Sequence, residues 1–347
     1  MNRFLRSFTI AALAGGMALT GCNKDGAPAG DKAGAPASAG AAAAAKTDAP
    51  AKEMTADAAI MAVMAGAAKG DPTAIWNFLP ASYQKDVNDM VHDFGAKVDA
   101  ELWDKGFAVL GKAIGVFKNK KDFILKSPMF AQAMQNPMLP PGAIDKNWDA
   151  VVGMLDTVAN SELSKAANLK TLDVGAFAAG TGKKVMGQGL ALAKAMGQDP
   201  TAVLSAFKAE LVKTEGDKAT VKLSAPGGGE GKEEQFVKVD GKWIPADMQA
   251  SWSREMGQAK AQMAAIPGEM AQAKQMAMPM LGMVEGTLDK LAGAADQAAF
   301  DGVLMGAMAA MGGGAPGGME KPEAAQKADD APGGDDGDDG DEAAQPE

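Results

Sequence analysis

The sequence predicts a predominantly helical α+β fold, with helices packed on a small three- to four-stranded antiparallel meander at about 209–245 and a Met/Ala-rich helical segment after it. Three observations carry this. Apolar residues recur at helical spacing through most of 54–311. The period changes to strict alternation between about 209 and 245. The apolar composition leans on Ala and on 24 Met, against 12 Phe, 5 Trp and 1 Tyr in 347 residues, and small, flexible side chains favour helices over a β-sandwich.

The elements follow in order. Thr55 is placed to cap a helix through AAIMAVMAGAAKG, closed by Gly70 and the Asp71-Pro72 step. Pro72 opens the short segment TAIWNFL, since a first helical turn tolerates proline. From Ala81 to about Lys97, Tyr83, Val87, Met90, Val91 and Phe94 form one apolar face. Asp99 caps the next helix, in which Leu102, Trp103, Phe107, Leu110, Ile114 and Phe117 repeat, and the lysines of the NKK run at 119–121 complement the dipole at its end. Short helices are expected around 122–135 and 145–160, the second carrying Trp148, Val151, Val152, Leu155 and Val158. A Gly-interrupted helix runs from about Val174 to Met196, and Asp199-Pro200 opens another.

The alternating stretches ELVKT, ATVKLS, QFVKV and KWIP, separated by turn sequences, read as a meander with one face buried under helices. Beyond it, Trp252, Met256, Ala259, Met263, Ile266, Met270, Ala273, Ala277, Met280 and Val284 make a heptad-like, coiled-coil seam. Pro267 and Pro279 each remove a helix hydrogen bond, so a kinked helix or consecutive segments are expected here.

Both ends of the chain differ from this body of 54–311. Residues 22–53, almost all Ala, Gly, Pro, Lys and Asp, bury too little surface to offset their ordering entropy and read as a disordered tether. Residues 312–347 read as a disordered acidic tail: from Glu320 onward the net charge is −9, so most of the chain's −10 resides there. That balance argues against nucleic acid as a partner. Residues 1–21 hold Arg3 and Arg6, then the apolar run FTIAALAGGMAL, too short for a permanent span, and read as an export signal.

Leu19-Thr20-Gly21 followed by Cys22 resembles the lipobox of bacterial lipoproteins. The resemblance implies cleavage before Cys22 and acylation of its thiol, anchoring the chain to a membrane. Asn23, where many inner-membrane lipoproteins carry aspartate, favours the outer membrane by the same resemblance. Separately, the segment AAIMAVMAGAAKGDPTAIWNFLPASYQKDV (58–87) and the ending VDGKWIP (239–245) resemble the nuclear-transport-factor-like α+β class, in which N-terminal helices pack on a curved antiparallel sheet. That likeness implies a helix-plus-sheet fold and carries over no catalytic residue.

Little in the body points to chemistry. One His and one Cys exclude a His-rich metal site and a disulfide framework. His92, between Asp89 and Asp93, reads as an exposed or partly paired helix residue. Gly180-Thr-Gly182-Lys183-Lys184 lacks the phosphate-loop spacing and reads as a small-residue helix contact. No carboxylate, Glu233-Glu234 included, stands in an apolar setting that would raise its pKa. The sharpest alternative is methionine: Met276, Met278, Met280 and Met283, with Met305, Met308 and Met311, offer soft sulfur ligands for Cu(I), against the plainer reading that they fill grooves between Ala-rich helices.

The sequence therefore predicts a lipid-anchored envelope protein that is a non-enzymatic binding or structural/interaction protein, with the Met/Ala seam offered as a site for a protein partner and no cofactor expected. A small apolar-ligand carrier and a Cu(I)-binding periplasmic protein are the alternatives. A carrier requires a closed apolar cavity. An enzyme requires Trp76, Tyr83, His92 and Trp243 to line one cleft with carboxylates.

Overall fold

The computed structural model describes residues 54–133, 142–228 and 230–310. The signal segment 1–21, the tether 22–53 with Cys22, and the tail 312–347 with Met311 lie outside them. The first helices are α1 (Ala56–Ala68), α2 (Thr73–Phe78), α3 (Ala81–Lys97) and α4 (Ala100–Asn119). They are followed by α5 (Lys121–Lys126), α6 (Pro128–Ala133), α7 (Ala143–Ala159), α8 (Ala166–Leu169), α9 (Val174–Phe177), α10 (Lys183–Ala195) and α11 (Pro200–Ser205). Strands β1 (Lys208–Glu215), β2 (Lys218–Ser224), β3 (Lys232–Val239) and β4 (Lys242–Pro245) come next, then α12 (Ala246–Gly293) and α13 (Gln297–Ala310). The chain divides into a compact unit ending at Leu304 and a second beginning at Met305, of which Met305 to Ala310 are described.

This is the helical α+β fold the sequence predicts, with all four strands in a meander of order β1-β2-β3-β4 and every neighbour antiparallel. Asp99 caps α4 by accepting from the Leu102 N–H at 2.9 Å, and Asp199 caps α11 through the N–H groups of Thr201 and Ala202. Thr55 stands at the head of α1, but its hydroxyl makes no capping bond. The helix expected over 122–135 is two helices, because Ser127 precedes Pro128 and is held extended at ψ 130°. The helix expected over 174–196 is divided by a π-helical turn, Ala178–Gly182, where the glycines fall.

The expectation of one buried sheet face needs correction. Trp243 and Ile244 are adjacent on β4, point to opposite faces and are 6 % and 0 % exposed. One face, with Ala219, Val221, Leu223, Phe236 and Trp243, packs on Ala56 and Ile60 of α1. The other, with Ile244, Val237 and Val239, packs on Leu79, Tyr83 and Trp252. The sheet is thus covered on both sides at β3–β4, while β1 is an exposed edge with Leu211 37 % and Val212 51 % accessible.

Helix α12 is 48 residues long and continues through both prolines, so the segment 246–293 is not broken into consecutive helices. Its seam is buried at Met256 and Met263 and half-buried at Trp252, Ala259, Ile266 and Met270, but exposed at Met280 and Val284. A 3.5-residue repeat on a helix of 3.6 residues per turn drifts about 20° per heptad. Four heptads carry the seam off the body, and Leu281, Leu288 and Leu291 take over the packing against α4, α5 and α7 residues.

Candidate functional site

The outward face of α12 between two sets of ion pairs is the candidate site. On its N-terminal side Trp252 stacks on Tyr83 and donates its indole N–H to Asp86 at 2.8 Å. Further along, Lys274 Nζ lies 3.0 Å from Asp99 and 2.7 Å from Glu101 at the start of α4. On its C-terminal side Glu285 pairs with Lys105 and, at 2.9 Å, with Lys112, which also holds Asp289 at 2.8 Å. Hydrogen bonds from Lys105 and Lys112 hold the Glu285 carboxyl below the usual carboxylate range. The Leu102 N–H and then Lys274 do the same for Asp99, and Glu101 and Asp99 raise the Lys274 ammonium.

Between these pairs runs QMAMPMLGMV, residues 275–284, without a charge. Met276, Met280 and Met283 stand at i, i+4 and i+7 and are 64 %, 60 % and 51 % exposed, with Val284 beside them. Met278 turns away and is half-buried. Groove filling among the described residues therefore accounts for Met256 and Met263, but not for these three, each more than half exposed. On α13 Met305 is exposed and Met308 half-buried. Among the described residues no cluster of three or more His, Cys, Asp or Glu is arranged to hold a metal ion, so a soft-metal site would draw on thioethers alone.

Trp76, Tyr83, His92 and Trp243 do not share a cleft. Trp76 and Tyr83 belong to the cluster around Ile244, whereas Trp243 lies on the other face of the sheet and donates to the Met54 carbonyl at 3.0 Å. His92 is half-buried, its Nε2 3.0 Å from the Leu172 carbonyl. The flanking carboxylates are taken up by lysines, Asp89 by Lys85 at 2.5 Å and Asp93 by Lys97 at 3.8 Å. At the glycine-rich 180–184 stretch, the Thr181 hydroxyl donates to Glu162 at 2.7 Å, and Gly182 packs near the Phe177 carbonyl.

One carboxylate overturns its expectation. Glu234 lies on the core face of β3 opposite the fully buried Val221, and burial pushes its pKa up. The local pair Glu233-Glu234 looks like an exposed acidic run, yet alternation puts only Glu233 outward.

An apolar cavity of about 60 Å³ lies between α1, α2, α11 and the sheet, lined by residues including Ile60, Met64, Ile75, Phe207, Leu223 and Phe236. Small-molecule sites are roughly 300–1,000 Å³, well above this volume. An open polar depression of about 340 Å³ at Lys118–Phe123 is edged by engaged lysines: Lys118 on Asp156, Lys120 on the Ala294 carbonyl, Lys121 on Asp149.

Sequence reasoning missed the ion pairs that fix α12, because their partners are far apart in the chain. A signal existed in the spacing: Lys105 and Lys112 are seven apart on α4, and Glu285 and Asp289 four apart on α12, each on one helix face. No protein-family model matches the chain, and comparison with curated proteins and with solved structures finds no match.

Proposed function

We propose that this chain is an exported envelope protein, lipid-anchored at Cys22 by the resemblance of its N-terminus to a lipobox and directed to the outer membrane. On this reading its body is a non-enzymatic docking module, and the occupant of the α12 face is an apolar helix of a partner protein. The exposure of Met276, Met280 and Met283 on one uncharged face, on a helix fixed on either side by ion pairs, carries the reading. Methionine surfaces adapt to apolar helices because the side chain is long, unbranched and polarisable.

Two measurements test it. Cys22→Ser should move the full chain from the membrane to the soluble fraction; unchanged partitioning removes the anchor. A photo-crosslinking residue at position 280 should give one discrete adduct in cells, its crosslinked peptide apolar and helical, and lose it on substitution of Met276 and Met283 by Gln. A diffuse adduct ladder, or none, overturns the docking face.

The same three exposed thioethers support a second reading, Cu(I) binding, since soft sulfur selects that ion. Titration of the full chain against a competing Cu(I) chelator should then show retention that Met280→Leu weakens. No retention at micromolar Cu(I) discards it.

A further inference from the structure

We propose that the open edge of β1 pairs antiparallel with β1 of a second copy of this chain, related by a two-fold axis between Leu211 and Val212. Among the described residues β2 is the one strand hydrogen-bonded to β1, so its other edge is unpaired. Such edges are ordinarily blunted by lysines, charges and bulges. Here the charges and the bulge instead make the strand complementary to itself.

The strand reads Lys208-Ala-Glu210-Leu-Val-Lys213-Thr-Glu215. Reversed against a second copy about its midpoint, Lys208 faces Glu215, Glu210 faces Lys213, and Leu211 faces Val212. Every charged position meets the opposite sign. A two-fold edge pairing also requires facing residues to lie on the same side of the sheet in both copies. In a regular strand it would fail, because Lys208 and Glu215 differ by an odd number of positions and side chains alternate with period two.

The β-bulge removes that obstacle. The register with β2 passes from Leu211↔Val221 directly to Lys213↔Thr220, leaving Val212 as the extra residue. Lys208, Glu210, Lys213 and Glu215 therefore stand opposite Ser224, Lys222, Thr220 and Lys218, all on the outer face of β2. The 2.7 Å ion pair between Lys213 and Glu215 agrees with their sharing one face. Ala209, Leu211 and Thr214 take the core face. Pairing would cover Leu211 and Val212, both exposed in the single chain, and main-chain hydrogen bonds would supply affinity.

The full-length chain in detergent solution, followed by light scattering and sedimentation equilibrium, tests this by charge exchange. Glu210→Lys and Lys213→Glu each place like charges opposite one another twice in the symmetric pair and should weaken dimerisation roughly tenfold or more. The double variant Glu210→Lys/Lys213→Glu restores both pairs with signs exchanged and should return the association to within about threefold of the natural chain. Far-UV circular dichroism confirms that each variant is folded. A monomeric natural chain, single variants that dimerise as tightly as it does, or a double variant no tighter than the singles would each overturn the proposal. Gln at 276, 280 and 283 should leave the dimer intact, so this result is separate from the fate of the α12 face.

Discussion

Tyr83 and Trp252 stack face to face, with ring centroids 4.0 Å apart and planes inclined by 4°. The contact joins the buried face of α3 to the first turns of α12, and the indole N–H continues it by donating to Asp86 at 2.8 Å. Trp252→Ala loses the ring contact and leaves Asp86 without its donor, and we expect a loss of about 3 kcal/mol in urea unfolding. Trp252→Phe keeps a ring over Tyr83 and should cost about 1–2 kcal/mol, the share of the hydrogen bond. Equal losses for the two would show that the stack contributes nothing beyond that bond.

A glycine marks a second close approach. A Cβ on Gly95 of α3 would lie 2.6 Å from Leu169 Cβ and 2.8 Å from the Lys170 nitrogen, so α3 and α8 meet backbone to backbone. Gly95→Ala should destabilise by about 1–3 kcal/mol, because neither helix can yield without disturbing Val98 and Ala166. Gly111 on α4 has nothing within 4 Å of such a Cβ, and Gly111→Ala should stabilise by up to about 1 kcal/mol through helix propensity alone. Opposite signs for the two in thermal or urea unfolding check the assignment.

The ion pairs along α12 predict a pH window. Glu285 and Asp99 have folded pKa values lowered by their hydrogen-bond donors, so they stabilise the fold above the ordinary carboxylate range and lose that contribution as pH falls through the lower folded values. Lys274 and Lys112 are raised by their carboxylate partners, so their contribution is full below the ordinary lysine value and is lost as pH rises through the folded one. The urea midpoint should therefore fall on both sides, below about pH 4 and above about pH 10. Glu285→Gln should be less stable than the natural chain at pH 7, and the gap should narrow as pH falls through the lowered folded value of the Glu285 carboxyl. These groups are partly exposed, so salt should narrow the gap at pH 7 as well.

Much of the architecture could be read from local pattern. The α3 face at Tyr83 and Val87, the Asp99 and Asp199 caps and the turn at Asp240-Gly241 follow from residue type and spacing, and there the local preference and the final packing agree. Where they part, the cause is tertiary. The 252–284 seam keeps its spacing, yet Met280 is exposed because the helix period is not 3.5. The candidate face arises from that mismatch and from lysines of α4 meeting acids of α12, a pairing no window of sequence contains. The bulge at Val212, which sets the outer face of β1, depends on the register with β2 and is likewise invisible in the alternation of β1 alone.

Glu234 gives the clearest case of a residue whose setting opposes its charge. It lies on the core face of β3, two residues before the buried Phe236 and opposite Val221, and burial raises its pKa. A carboxyl whose folded pKa lies above its unfolded value destabilises the fold once pH exceeds the folded value, and has no effect below the unfolded one, where both states are protonated. Glu234→Gln keeps the shape and removes the charge. It should therefore raise the urea midpoint at pH 7, and the gain should shrink towards zero as pH falls below the ordinary glutamate range. Glu233→Gln, on the outward face of the same strand, should show no such gain. A pH-independent gain for Glu234→Gln would mean that hydrogen bonding by the amide, and not relief of a buried charge, is responsible.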